Sequence, residues 1–341
     1  MILVVDRRAC TLRHDAGVLK VECEGGSSQR APIAQLEQVI IHGNPMAETA
    51  VWRALAKAGV PTVMLPARGA DGAAVLGNGL ATQFPLRALQ HQIAAEPAQA
   101  LAVAAWIIRQ KLLGYDLPLR ALSLRHGADA ESCTAFIQRR DQAIAALPAA
   151  ASQDALMGIE GQVANAWFGL IARTLTPVWG FSGRNRRPPR DPVNALLSLG
   201  YTLLGSEVHR GVIASGLDPS LGLLHQPAAG RESMVLDLTE IFRSGVDHYA
   251  LSWIDPEAPD QSDFYYRERE GCRLSKAARP RFYGIWAARR AEWPYPHATD
   301  GEPAEQADWP AGGLREQING WIERLRTEMK RVAGQPQEHD E

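Results

Sequence analysis

"AEPAQALAVAAWIIRQKLLGYDL", residues 95–117, decides how this chain is read. Its apolar residues recur every three or four positions, the period of a helix. It also stands where the chain changes character. Before it, "ILVV" (2–5), "GVLKVEC" (17–23) and "QVIIHG" (38–43) are short, rich in Val and Ile, and separated by turn residues, so they read as strands. "MAETAVWRALAKAG" (46–59) reads as a helix with Val51, Leu55 and Ala58 on one face and Gly59 as its stop. "VPTVML" (60–65) reads as a buried strand, and "ARGADGAAVLGNG" (67–79) as a turn or hairpin. Beyond residue 90 the helical period repeats over 131–147, 154–175, 192–215 and 316–333. The expectation is an α+β chain: a small β-rich, sandwich-like domain over 1–84, then a larger all-α domain over 85–333. Residues 292–313, with four prolines, read as an irregular loop, and 334–341 as a disordered tail.

The 341 residues carry 36 Lys and Arg against 38 Asp and Glu, a net charge of −2. That excludes a uniformly basic nucleic-acid binder but leaves local basic patches open. The four cysteines, at 10, 23, 133 and 272, form no CxxC pair and match no zinc spacing, so they read as four free thiols of a reducing compartment. No apolar run approaches the ~20 residues that cross a bilayer, and the first strand is followed by charge at Asp6. A cytoplasmic protein with no membrane partner is the expectation.

Acidic residues stand where a core is being built. On a helix over 157–175, Glu160 shares a face with Ala164, Trp167 and Ile171, beside an apolar stripe of Ile159, Val163, Ala166 and Leu170. "ESMVLDLTEIFRS" (232–244) repeats the situation: Asp237 lies between Met234 and Ile241, Glu240 follows it by one turn, and Ser233 is placed to cap the helix. His225 precedes them in "GLLHQPAAG" (222–230), a loop able to fold back over the helix start. An unpaired buried carboxylate costs several kcal/mol, so these acids need a cation, a donor or a proton. One divalent ion would serve Glu160, His225 and Glu240 together: oxygen ligands suit Mg²⁺ or Mn²⁺, and one imidazole favours Mn²⁺. Ordinary salt bridges would serve each acid separately.

Arginines collect in two places. "GRNRRPPRDPVN" (183–194) holds Arg184, Arg186, Arg187 and Arg190 with no acid before Asp191. Residues 265–290 carry eight Lys and Arg against two Glu, interleaved with Tyr265, Tyr266, Phe282 and Tyr283. Basic groups among aromatics suit a phosphate backbone and unstacked bases; a solvated helix face is the plainer reading of the second stretch. Arg231, beside Gly230, is a further candidate for gripping a phosphate.

Taken in order, "GIEG" before "ANAWF", "RRPPRDPVNALLSLGYTLL", "GLDPSLGLLH" and "GRESMVLDLTEIFR" closely resemble the CRISPR-associated adaptation integrase family ("Cas one"), over about 157–244. "VIIHGNPMAETAVWRALAKAGVPTVML" resembles that family's N-terminal domain. The resemblance implies an N-terminal dimerisation domain, a homodimer, and a helical catalytic domain that cuts and joins DNA with Mg²⁺ or Mn²⁺. It implies a 3′-hydroxyl attack that inserts a short spacer duplex into the repeat array, together with a small adaptation partner ("Cas two"). Glu160, His225 and Glu240 match the metal ligands and Asp237 the nearby acid, which orients the site or holds a second ion. Arg231 matches a basic residue near the substrate phosphate. Glu240 stands where some relatives have Asp, and Gly205 where some have Tyr; Tyr201 lies one turn earlier. The same residues would also serve a stand-alone metal-dependent nuclease on branched or single-stranded DNA, or a non-catalytic DNA-binding scaffold.

Overall fold

The computed structural model describes residues 1–7, 9–25, 28–66, 73–76, 84–185, 187–254, 260–293 and 312–335. Arg186, most of the glycine-rich stretch 67–79, residues 294–311 of the proline-rich loop and residues 336–341 of the tail lie outside them.

Two four-stranded sheets build the N-terminal part. The first runs β1 (Ile2–Val5), β5 (Gln38–His42), β7 (Thr62–Leu65), β8 (Ala74–Leu76), parallel except for β8, which returns antiparallel to β7. The second runs β4 (Ser28–Pro32), β3 (Val18–Cys23), β2 (Cys10–Asp15), β6 (Met46–Ala47). Helix α1 (Thr49–Lys57) buries Val51 and Leu55 against them as the sequence predicts, whereas Ala58, the third residue of the predicted face, is the exposed C-cap just past the helix end. The β2–β3 hairpin turns through Ala16 and Gly17, at φ 46° and 81°. Two consecutive left-handed residues suit a two-residue hairpin turn, whose twist matches that of the strands it joins.

Cys10 and Cys23 face each other across this hairpin and form a disulfide. The expectation of four free thiols is corrected on that point; Cys133 and Cys272 are free. Strand alternation puts both cysteines at paired positions, a proximity that a separation of 13 residues does not reveal. β2 and β4 themselves escape the sequence reading. "CTLRHD" and "SQRAP" are largely polar because one side of this sheet faces solvent.

The first sheet has no solvent face along its middle. Leu3, Val5, Val39 and Ile41 point into the sandwich core, whereas Ile40, Val63 and Leu65 point into the helical core. Val39, Ile40 and Ile41 are all at most 2% exposed. Full burial of such a side chain contributes about 1.5–3 kcal/mol before entropy is charged against it. The polar ends of β5 face the helices too: Gln38 Nε2 donates to Ser206 Oγ at 2.8 Å, and His42 hydrogen-bonds Tyr283.

The helices are α2 (Phe84–Ala95), α3 (Pro97–Leu113), α4 (Asp116–His126), α5 (Ala130–Ala146), α6 (Gln153–Thr174), α7 (Pro192–Ser215), α8 (Ser233–Trp253), α9 (Arg279–Ala291) and α10 (Leu314–Val332). The stretch 95–117 is thus not one helix: α3 starts at Pro97, which suits a first turn, and ends at Leu113 before a tight step into α4. α7 and α8 are buried on nearly every side and form the centre of the bundle. Residues 264–274 are a hairpin of β9 (Phe264–Arg267) and β10 (Gly271–Leu274), so the first half of the second basic stretch is not a helix face. No helix among the described residues is long and apolar enough to cross a membrane.

Candidate active site beside an arginine-lined cleft

Asp237 sits on the first turns of α8, fully buried. Its carboxylate receives the backbone amides of Leu223 (2.6 Å) and Leu224 (2.9 Å) on Oδ2, and of His225 (2.9 Å) on Oδ1. The loop before α8 therefore wraps a negative charge, and the amides supply the donors that a buried carboxylate requires. A Cβ at Gly222 would stand 2.5 Å from the His225 carbonyl oxygen and 3.0 Å from Asp237 Oδ2, so only glycine permits this wrap. Oδ1 also accepts from the imidazole Nδ1–H of His225 at 2.7 Å. That bond sets the tautomer and aims Nε2 toward Glu240, 4.0 Å from its Oε1. Ser233 does not cap α8. Glu232 is the N-cap residue, without a side-chain capping bond, and the buried Ser233 hydroxyl donates instead to the Gln226 carbonyl at 3.1 Å, closing the same loop.

Glu240, one turn beyond Asp237, and Glu160 of α6 are brought together from different helices. Lys111 of α3 stands between them: its ammonium donates to Glu240 Oε2 at 2.5 Å and to Glu160 Oε1. Arg243 holds the other Glu240 oxygen at 2.9 Å. Burial by itself would raise the Glu240 carboxyl, but Arg243 and Lys111 overcome it and hold it at about 2. Gln153, two turns before Glu160, donates to the Leu223 carbonyl at 2.7 Å and so fastens α6 to the His225 loop.

Among the described residues no three His, Cys, Asp or Glu side chains form a ready metal cage. The donor chemistry nonetheless fits a divalent ion at Glu160, His225 and Glu240. The imidazole has its Nδ1–H tied to a carboxylate and its Nε2 turned to Glu240, and a cation already bridges the two glutamates. Asp237 does not belong to that set, because both its oxygens are taken by the loop.

Beside this centre lies a cleft of about 1260 Å³. Arg184, Arg187, Arg231, Arg243, Arg269, Arg273 and Arg279 line it, against Glu232 and Glu270. The two basic stretches of the sequence meet here: Cys272 of β10 donates its N–H to the Pro189 carbonyl at 2.7 Å, joining the hairpin to the arginine loop. That loop is folded by Asn185, Asp191 and Asn194 together with Arg184. Asn194 donates to the Gly183 carbonyl (2.9 Å) and to Asp191 (2.7 Å), and accepts from the Asn185 N–H (3.0 Å); Asp191 caps α7. Arg184 is bound inward, to Asn194 Oδ1 at 2.8 Å and Ser198 Oγ at 3.2 Å. Arg187 and Arg190 are exposed, and Arg190 lies outside the cleft lining. Arg231 lines the cleft with its Nε donating to Ser233 Oγ at 3.2 Å.

Tyr201 connects cleft and centre. Its ring lies between the guanidinium groups of Arg184 (5.5 Å) and Arg243 (5.0 Å). Its hydroxyl donates to Asp247, which also receives the Trp167 indole N–H at 2.8 Å. Burial pushes the carboxyl of Asp247 up and, with Asp247 beside it, the phenol of Tyr201 well up. The phenol hydroxyl is thus engaged as a donor and its ring as a stacking surface. Lys111, Arg243 and Asp247 were not singled out in the sequence. Their only trace there is a charge inside an apolar helical run, as in "IIRQKLL".

The family described as "CRISPR associated protein Cas1" matches residues 3–288. "CRISPR-associated endonuclease Cas1 3" of Thermus thermophilus is 34% identical over 285 residues, 82% of each chain. A casposase bound to integration product superposes with a TM-score of 0.80 at 19% identity, over 98% of this chain and 92% of the casposase. A chain of a Cas6-RT-Cas1–Cas2 complex superposes with a TM-score of 0.77 at 22% identity, over 97% of this chain and 35% of that one. The strand-rich start, the helical body and the 286 matched residues, 3 through 288, agree: the chain belongs to the CRISPR-associated Cas1 family.

Proposed function

We propose that this protein is a metal-dependent DNA endonuclease and integrase of CRISPR adaptation, which inserts short spacer duplexes into the repeat array. One observation carries the reading: two glutamates and an oriented histidine converge directly behind an arginine-lined cleft, linked to it through Arg243 and Tyr201. The protein's likeness to a Cas1 endonuclease, to a casposase bound to integration product and to a chain of a Cas6-RT-Cas1–Cas2 complex supports it.

Glu160, His225 and Glu240 would hold Mg²⁺ or Mn²⁺. Such an ion supplies Lewis acidity at a phosphoryl oxygen and lowers the pKa of a bound hydroxyl or water. The chain's own residues do the rest. Asp237 fixes the imidazole tautomer so that Nε2 presents a lone pair. Arg243, anchored on Glu240 and stacked on Tyr201, stands at the cleft wall, where it meets a phosphate as the chain enters. Arg187, Arg231, Arg269, Arg273 and Arg279 hold backbone phosphates, contacts that position the duplex without specifying sequence. Reaction proceeds by attack of a free 3′-hydroxyl on a phosphodiester of the array, with the displaced 3′-oxygen taking up a proton.

A net charge of −2 suits a protein whose basic surface is completed by assembly. We read the working unit as a homodimer acting in the cytoplasm with the small Cas2-type partner. The test combines purified protein, a short duplex with 3′-hydroxyl ends and a supercoiled plasmid carrying a repeat, with Mg²⁺ or Mn²⁺, with and without the partner. Joined product that disappears in Glu160→Ala establishes the reading. Cleavage without joining would make the protein a stand-alone nuclease, and DNA binding with neither would make it a scaffold.

A further inference from the structure

Lys111 is buried, 6% exposed, and its ammonium stands between Glu160 Oε1 and Glu240 Oε2. We propose that Lys111 is a positioning residue, the resident cation of this site. It keeps the two carboxylates together when no divalent ion is bound, and it must vacate the gap for one to enter. The inference rests on the reading of Glu160, His225 and Glu240 as metal ligands.

Three observations carry it. The first is charge. Glu160 and Glu240 have side chains only 13% and 6% exposed, and two carboxylates so placed repel strongly unless a cation separates them. Arg243 serves the far oxygen of Glu240; among the described residues, Lys111 is the cation that reaches Glu160. The second is backbone geometry. Gly114, three residues after Lys111, lies so close to α8 that a Cβ on it would stand 2.6 Å from Ser244 Oγ, and Ser244 is one turn after Glu240. This helix crossing delivers Lys111 to the glutamates and nowhere else. The third is the residue type. An ammonium on a four-carbon stem is a compact point charge that withdraws by rotation. Arg243 cannot do the same, because its guanidinium is fixed on Glu240 and stacked on Tyr201. A displaceable cation and a fixed one thus flank the same carboxylate.

The site is then never without a positive charge, and metal entry is an exchange of cations. The cost of releasing two charge-assisted hydrogen bonds is subtracted from metal affinity. Removing the ammonium should therefore tighten metal binding while weakening the metal-free fold, a combination that a merely structural lysine would not give.

The experiment measures Mn²⁺ binding to the full-length protein without DNA, by the electron paramagnetic resonance signal of free Mn²⁺. It is paired with thermal melting in chelator and in Mn²⁺. Lys111→Met should bind Mn²⁺ tighter than wild type by roughly tenfold or more, melt lower in chelator, and recover most of that loss when Mn²⁺ is added. Lys111→Arg, which keeps the charge in a form that grips carboxylates bidentately, should bind Mn²⁺ more weakly than wild type. Equal affinity in all three proteins overturns the inference, as does a Lys111→Met protein whose stability Mn²⁺ does not restore. If Lys111→Met folds only when refolded with Mn²⁺, the inference stands; if it fails to fold in both conditions, the inference falls. A wild-type protein that binds no Mn²⁺ would overturn the metal reading itself, a result distinguishable from equal binding.

Discussion

Asp237 holds His225 twice, accepting its backbone N–H at 2.9 Å and its ring Nδ1–H at 2.7 Å on the same carboxylate oxygen. With two further amides on the other oxygen, it is the organising charge of the loop rather than a ligand in reserve. Asp237→Asn replaces one acceptor oxygen by a donor facing N–H groups. The variant should lose about 3 kcal/mol of stability, because a buried charged partner has been removed. Strand joining should fall with it even under conditions where the variant is fully folded. Urea denaturation and single-turnover joining check both; unchanged values in either would show that the loop holds itself.

Tyr201 is predicted to be dispensable as a chemical group. Tyr201→Phe keeps the ring between Arg184 and Arg243 and removes the bond to Asp247. Stability should drop by about 1–3 kcal/mol, since a buried acceptor loses a donor, while the joining rate stays within roughly tenfold. Tyr201→Leu, which removes the stacking surface, should lower the rate further. Complete loss of joining in a folded Tyr201→Phe protein would make the hydroxyl a reacting group.

The cleft arginines separate by role. Arg187→Ala and Arg269→Ala should each weaken duplex binding uniformly across sequences and reduce the salt slope by about one. Arg184→Ala removes two hydrogen bonds that hold the loop to α7 and should lower the melting temperature as well. Fluorescence anisotropy at several salt concentrations, with melting curves, checks the division. A sequence-dependent loss in Arg187→Ala would mean that the loop reads bases.

His42 provides a pH signature. Burial, with Arg279 and Arg273 nearby, lowers its imidazole to about 3 from an ordinary value of 6.5. In the fold it stays neutral where the unfolded chain takes up a proton. Its contribution to stability is therefore complete above pH 6.5 and is lost as pH falls toward 3. His248, lowered to about 4 by burial and by Arg289 and Arg125, acts in the same direction. His42→Gln should flatten part of the decline in melting temperature between pH 6.5 and 4. An unchanged slope in the variant would place the titration elsewhere.

Much of this was legible beforehand because the signals were local. β1, β5, β7 and α1 carry their burial in the spacing of Val, Ile and Leu. Glu160, Asp237 and Glu240 stood out because each is an acid amid apolar neighbours on its own helix. What escaped depends on pairing between distant segments. Lys111 reaches its partners across separations of 49 and 129 residues, and nothing near it in sequence announces them. Asp247 draws its donors from α6 and α7, and reads alone as one acid in a helix. The inward bonds of Arg184 were not legible because its neighbours in sequence are basic, while Asn194 and Ser198, which accept from it, lie on the following helix. The break in 95–117 was hidden because α3 and α4 are both apolar and meet within two residues.

The first sheet belongs to two cores at once, with Val39 and Ile41 facing one way and Ile40 facing the other. A fragment that starts at Phe84 would therefore expose a raw apolar wall where the sheet had been. The same sheet is a mechanical handle. Gln38 is fastened to Ser206, five residues from Tyr201 on the same helix, so whatever grips the sandwich also grips the rod that carries the cleft's stacking platform.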